Sequence, residues 1–205
     1  MKIAIVGAGN VGRALAGGWR KAGHDVAFAV RDPASDKSKA LTADGSRVVA
    51  MSGAAANADV VILAVPWPEI ENAIKGLGTL TGKIVVDASN PLTKSLDLAL
   101  GFSDSAGETV ARLAKGARVV KAFNTTGAEN MSAAKSFTAK AVMPVASDDA
   151  DAKQTVRKLA DDLGFESMDA GPLQAARYLE PMAMLWIKHA YSGAGTKFAY
   201  ALTRR

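Results

Sequence analysis

Lys2-Ile3-Ala4-Ile5-Val6-Gly7-Ala8-Gly9-Asn10-Val11-Gly12 opens the chain, and its reading decides the fold. Ile3 to Val6 is an unbroken apolar run, the mark of a strand buried on both faces. Gly7 to Gly12 spells G-x-G-x-x-G. Behind it Val11, Leu15 and Trp19 recur at helical spacing and predict a helix over Val11–Ala22. Gly23-His24 ends that helix, and Val26 to Val30 reads as a second strand. A glycine fingerprint set between strand and helix, inside one βαβ unit, predicts a dinucleotide site. Gly7 permits the tight turn, Gly9 lets backbone approach a pyrophosphate, and Gly12 lets the helix pack on the strand. The helix N-terminus offers unpaired N–H groups and a partial positive charge to phosphate.

The same rhythm runs on. Ser35–Ala43, Glu69–Leu77 and Glu108–Ala114 read as helices; Arg47–Ala50, Val60–Val65, Lys83–Asp87 and Arg118–Ala122 read as strands. Such alternation forces parallel strands joined by right-handed crossovers. Ala139–Val145 and Phe165–Asp169, with a helix over 149–163 between them, are expected to extend the same sheet, and Leu173–Tyr200 reads as helix. Asn90–Gly107 is the longest irregular stretch and a candidate mobile loop over a site. The expected architecture is α/β: a Rossmann-type, doubly wound, mostly parallel sheet with a small C-terminal helical extension. Residues 1–172 form the cofactor-binding domain, and 173–205 pack on the site and on a dimer partner.

Composition narrows the function. The chain has 205 residues, 49% of them hydrophobic, and no Cys, which removes disulfides, thiolate chemistry and sulfur-based zinc sites. No metal site is read from the sequence. The 25 Lys and Arg residues, net +5, are scattered rather than striped, which argues against nucleic acid and suits an anionic cofactor. No apolar stretch approaches the roughly 20 residues that span a bilayer, and the opening strand lacks a signal peptide's cleavage region. A cytoplasmic protein without a membrane role is expected.

In a doubly wound sheet the carboxyl ends of the strands line the ligand crevice. An NAD site usually places Asp or Glu at the end of the second strand; Val30 stands there, followed by Arg31, whose guanidinium suits a 2′-phosphate. That reading gives NADP(H), with Ser35 and Lys37 beside the same pocket. Asp32 as the ribose acid would give NAD instead. The fourth strand ends in Val65-Pro66-Trp67-Pro68, where the prolines stiffen the loop and Trp67 either floors a flat ring or fills the core. The fifth ends at Asp87-Ala88-Ser89-Asn90-Pro91 and the sixth at Lys121-Ala122-Phe123-Asn124-Thr125-Thr126. Their small polar groups suit a carboxamide or ring carbonyl; helix capping is the other use.

Taken together, the glycine loop, Arg31, Val65-Pro66-Trp67, Asn90-Pro91, Phe123-Asn124-Thr125 and Asp169-Ala170-Gly171-Pro172-Leu173 resemble the coenzyme F420-dependent NADP oxidoreductase family. They are also similar to the reductase domain of six-transmembrane ferric reductases. The resemblance runs from residue 1 to about residue 200. It implies NADP(H) over the glycine loop, a nicotinamide facing a deazaflavin (F420) or flavin ring, and a dimer. It also implies that Ala8–Val11 meet the pyrophosphate, Val30, Arg31 and Ser35 the 2′-phosphate, and Val65, Asn90 and Ala128 the nicotinamide side. The family's deazaflavin enzymes carry Ser where Val30 stands and His where Asn124 stands.

The reaction expected is direct hydride transfer to a stacked small-molecule redox partner. The protein holds the rings and supplies no acid–base residue. Trp67, Pro91, Asn124 and Thr125 are the residues assigned to that partner. His24 reads as structural and His189 as a packing residue. Other readings are a non-catalytic NADP(H) sensor, a soluble flavin or ferric reductase, and a β-hydroxyacid or imine dehydrogenase. The last requires a large helical domain with a catalytic Lys, for which only about 35 residues, Lys188 among them, remain.

Overall fold

The computed structural model describes all 205 residues. Its main sheet is built from β1 (Lys2–Val6), β2 (Asp25–Val30), β3 (Arg47–Ala50), β4 (Val60–Leu63), β5 (Ile84–Asp87) and β6 (Arg118–Lys121). All neighbours are parallel, in the order β3-β2-β1-β4-β5-β6. This is the doubly wound order, with the direction of winding reversing at β1 and β4. The crossovers carry α1 (Asn10–Lys21), α2 (Asp36–Ala43), α3 (Ile70–Leu77) and α4 (Ala106–Leu113).

The strands are apolar on both faces because helices cover both. Ile3 and Ile5 point into one core with Leu15 and Trp19 of α1 and with Val156 and Leu159. Ala4 and Val6 point into the other with Ile70, Ile74 and Leu77 of α3 and Val110 of α4. Trp19 sets the spacing of the first layer. It is fully buried, its ring meets Phe123 edge-on at 5.4 Å, and its Nε1 donates to Leu159 O at 2.9 Å. Helix starts follow local chemistry. Ser35 caps α2 by accepting from Ser38 N, and Ser105 caps α4 by accepting from Glu108 N, so α4 begins two residues before the predicted Glu108.

Three expectations need correction. First, β7 (Val142–Val145) and β8 (Glu166–Asp169) do not extend the main sheet; they pair with each other in a separate parallel sheet. A single antiparallel bridge, Lys121 with Ala146, joins β7 to β6. Residues 141 and 145 turn their carbonyls to β8, while Val142 N donates to Tyr200 O and Ala146 N to Lys121 O. Pro144 therefore falls on the side that faces β6 and has no N–H to give, so the ladder cannot propagate.

Second, the terminal helix does not reach Tyr200. After a 3-10 turn at Leu173–Ala175, α7 (Ala176–His189) passes into a π-helical turn over Ala190–Ala194. Gly193 (φ +107°) and Gly195 (φ +73°) then reverse the chain. Phe198 returns to stack on Trp186 at 5.0 Å, and Trp186 Nε1 donates to its carbonyl. Third, residues 128–133 form α5 (Ala128–Ala133), packed against α1, which the sequence did not announce; α6 (Ala150–Leu163) lies where expected. No helix is long and apolar enough to cross a membrane.

Candidate functional site

The carboxyl ends of β1, β2, β4 and β5 open into a continuous crevice whose centre is the glycine loop. Gly7 sits at φ +107°, and a Cβ there would meet the carbonyl oxygen of Ala64 at 2.3 Å. Only glycine allows this turn. Gly12 faces inward, where a Cβ would fall 1.9 Å from Gly7 O. Gly9 is different: nothing lies within 4 Å of its Cβ direction. It is the N-cap of α1, no side chain caps that helix, and no acidic residue stands in its first turn. The first amides of α1 are thus left for an anion, with space beside them. A pyrophosphate fits this cradle on shape and charge.

On one side of the loop a hollow of about 430 Å³ is lined by Gly7, Ala8, Gly9, Val65, Arg31 and Lys37, among others. Arg31 and Lys37 are both exposed and offer two cations to an anionic ligand at the end of β2. Asp32, the acid of the competing NAD reading, does not line this hollow; its Oδ1 accepts from Ala34 N at 2.8 Å. Ser35 is less free than a phosphate ligand would need, since Oγ donates to Asp32 O and accepts from Ser38 N. Val30 is half-buried and packs against the core rather than facing the hollow.

On the other side, a hollow of about 330 Å³ is lined by Asn10, Val11, Pro66, Trp67, Ser89 and Asn90, among others. No charged residue lines it. Trp67 opens a 3-10 turn (Trp67–Glu69) and is half-buried, so it presents ring surface to the hollow while packing against the core at its back. Leu92, unremarkable in the sequence, also lines this end; a bridge between Leu92 and Leu98 folds that stretch into a small hairpin.

Asn90 and Asn124 meet behind this hollow. Asn90 Nδ2 donates to Asn124 O at 2.9 Å, and Asn124 Nδ2 donates to Asn90 Oδ1 at 3.0 Å and to Leu179 O at 3.1 Å. Asn124 Oδ1 is buried without a partner. The preceding Phe123 holds φ +60°, a strained value for a non-glycine residue, which directs the chain back toward Asn90. Asn124, Thr125 and Pro91 are buried and line neither hollow; they stand one layer behind it. Ala128 starts α5 and lines neither hollow. The histidines lie elsewhere: His24 Nε2 pairs with Asp162 at 2.9 Å, and His189 meets Phe198 edge-on. Lys188 is taken up by Asp97.

Sequence reading missed the charge cluster under the crevice. Lys121 and Asp87 end β6 and β5 in register, both fully buried. Lys121 Nζ reaches Asp87 Oδ2 at 2.8 Å, Glu180 Oε1 at 2.9 Å and Ser89 O at 2.7 Å. The neighbouring carboxylates hold this ammonium above the usual lysine range although burial works against it. The available signal was the matched ends of two apolar runs, Ile-Val-Val-Asp and Arg-Val-Val-Lys; nothing in the sequence pointed to Glu180.

Known proteins resemble this chain in sequence and in fold. The family described as NADP oxidoreductase, coenzyme F420-dependent, matches residues 2–91. The chain is 32% identical to a candidate F420-dependent NADP-reductase from Arthrobacter sp. FB24 of solved structure, covering 100% of both chains with a TM-score of 0.88. A hypothetical protein of Sinorhizobium meliloti is 35% identical, with a TM-score of 0.74 over 86% of this chain and 87% of that one. Metalloreductase STEAP3 of Rattus norvegicus is 30% identical over 183 residues; they make up 89% of this chain but only 36% of that protein. A reductive aminase from Aspergillus terreus, 20% identical with a TM-score of 0.67, shares the fold.

Proposed function

The chain belongs to the coenzyme F420-dependent NADP oxidoreductase family, and on that premise we propose that it binds NADP(H) along the crevice and passes a hydride to a flat, flavin- or deazaflavin-type partner. The observation that carries this reading is the division of the crevice by the glycine loop. One end offers Arg31 and Lys37, the other an uncharged hollow walled by Trp67 and Asn90. Bound NADP(H) supplies the hydride at its nicotinamide ring. The residues of this chain do the rest. The amides at Gly9–Val11 neutralise the diphosphate, Arg31 and Lys37 grip the 2′-phosphate, and the uncharged walls exclude water while fixing the rings. Val65 and Pro66 flank the nicotinamide in this reading, and Pro91, Asn124 and Thr125 shape the partner's side from one layer behind the hollow.

A carbonyl or imine takes the hydride on carbon and must have its oxygen or nitrogen protonated, which needs a placed acid, and no titratable side chain lines the ring end. That favours a ring that takes a hydride alone over a carbonyl or imine. A second reading, a flavin or ferric-chelate reductase, draws support from the metalloreductase relative and from Asn124, where deazaflavin enzymes carry His. The working unit is a homodimer in the cytoplasm, with residues 1–172 binding the cofactor and 173–205 completing the site and the subunit contact.

Titration with NADPH and NADH, followed by NADPH oxidation with F420, riboflavin and ferric chelates, tests the proposal. Arg31→Ala should weaken NADPH about tenfold to a hundredfold, the worth of one charged hydrogen bond, and leave NADH unchanged. Equal affinity for the two dinucleotides in both proteins would end the NADP assignment. Tight NADPH binding without turnover on any acceptor would make the chain a sensor.

A further inference from the structure

The Asp87–Lys121–Glu180 cluster is a costly thing to bury. Removing an ammonium and two carboxylates from water costs more than their mutual attraction usually returns, and an apolar trio of the same volume stabilises a core at least as well. What the cluster provides is geometry. All three N–H bonds of Lys121 are committed, to Asp87, Glu180 and Ser89 O. Ser89 is held from both sides: its N–H and Oγ donate to Asp87 Oδ1 at 2.9 and 2.6 Å, and its carbonyl accepts from Lys121. Glu180, on α7, accepts from Ala106 N and Gly107 N, the first amides of α4. Ser89 and Asn90 line the ring end of the crevice, so the cluster fastens that floor to two helices that do not touch the hollow.

We propose that Lys121 is a positioning residue for hydride transfer: its ammonium fixes the Ser89–Asn90 backbone under the nicotinamide and locks it, through Glu180, to α7 and the start of α4. The proposal rests on the dinucleotide reading above. Its physical content is that a ring-bearing floor displaced by about 1 Å costs on the order of a hundredfold in rate while binding elsewhere is untouched.

Lys121→Met alone leaves two buried carboxylates without their counter-ion and endangers folding. The pair Asp87→Asn with Lys121→Met keeps the cluster's net charge and an acceptor for Ser89 N; it removes the grip on Ser89 O and the ammonium beside Glu180, whose carboxylate keeps the amides of Ala106 and Gly107. In the full chain without nucleotide, this double variant should show faster amide hydrogen exchange at residues 89–90 and 176–183. It should bind NADPH within about threefold of the unaltered chain, because the phosphate end is intact, yet show weaker fluorescence of the bound dihydronicotinamide. With whichever of F420 or riboflavin the unaltered chain reduces, kcat should fall tenfold to a hundredfold at near-constant KM. Exchange and fluorescence unchanged in a cooperatively melting variant would overturn the proposal. So would loss of cooperative melting, which makes the cluster a folding element, or a rise in KM alone. An unaltered chain that binds no NADPH would sink the function proposed above, and would do so without reference to this variant.

Discussion

Asn90 and Asn124, 34 residues apart, hold each other across the crest of the sheet by two reciprocal hydrogen bonds, 2.9 and 3.0 Å long. The pair closes the ring end of the crevice, and the third bond, from Asn124 to Leu179 O, carries the closure into α7. Removing the Asn124 amide leaves Asn90 Oδ1 and the carbonyl of Leu179 without their donor. Asn124→Ala should cost about 2 kcal/mol, or roughly 4–8 °C in Tm. Asn124→Asp should cost more, since it sets a carboxylate against two acceptors. Differential scanning calorimetry checks both, and an alanine variant as stable as the unaltered protein would show that the bonds are not formed.

Gly7 and Gly9 should separate folding from binding. Gly9 has ordinary backbone angles and open space before it. Gly9→Val should cost about 1 kcal/mol or less, the worth of an N-cap preference, which is a shift of roughly 2–4 °C in Tm. It should lower affinity for NADPH and NADH alike, by about tenfold to a hundredfold, through loss of one or more phosphate contacts. Gly7→Ala meets both a left-handed backbone and the Ala64 carbonyl, and should cost about 3 kcal/mol or more. Calorimetry and isothermal titration on the two variants give the comparison.

Acid should loosen the joint between α4 and α7. Arg177 clamps Glu108 with two bonds of 2.8 and 2.7 Å, and that hydrogen-bonded guanidinium holds the carboxyl below its ordinary 4.5. A depressed carboxyl stabilises the fold above its unfolded value and loses that contribution as pH falls through the lower, folded one. Stability should therefore drop below about pH 4.5. Arg177→Met should destabilise the fold at pH 7 and progressively less under acid. Urea unfolding across pH 3–7 reads the difference; a gap that stays constant with pH would refute the assignment.

Tyr178, Leu185 and Tyr191 lie along α7 and the turn that follows it, 76%, 64% and 76% exposed. In the proposed homodimer this strip meets its copy. Light scattering should give twice the chain mass, and Leu185→Glu should return the monomer while changing Tm in a concentration-dependent way. A monomeric unaltered chain would remove the dimer from the proposal.

Much of this molecule could be read from its residues in order. The central strands of the parallel sheet were legible because burial on both faces leaves unbroken apolar runs such as Val60–Leu63. Gly7, Gly9 and Gly12 were legible because each glycine answers a separate steric demand that nearby sequence imposes. Arg31 stood out because an expected acid was missing. Less local features were hidden. The stop imposed by Pro144 depends on which edge of β7 faces β6, and that parity exists only once the strands are assembled. Serine at 35 looks the same whether it caps a helix or binds phosphate.

By itself, then, the sequence determined the alternating architecture, the phosphate cradle and the cation at the end of β2, since those follow from periodicity and from residues within one βαβ unit. Tertiary structure alone decided that Asp87, Lys121 and Glu180 form a single buried cluster and that Asn124 stands behind the crevice rather than in it. The physical reason is range. Hydrophobic period and glycine geometry act between near neighbours, whereas the partner of a buried charge is set by which chain segments pack together, and a linear pattern carries no trace of that.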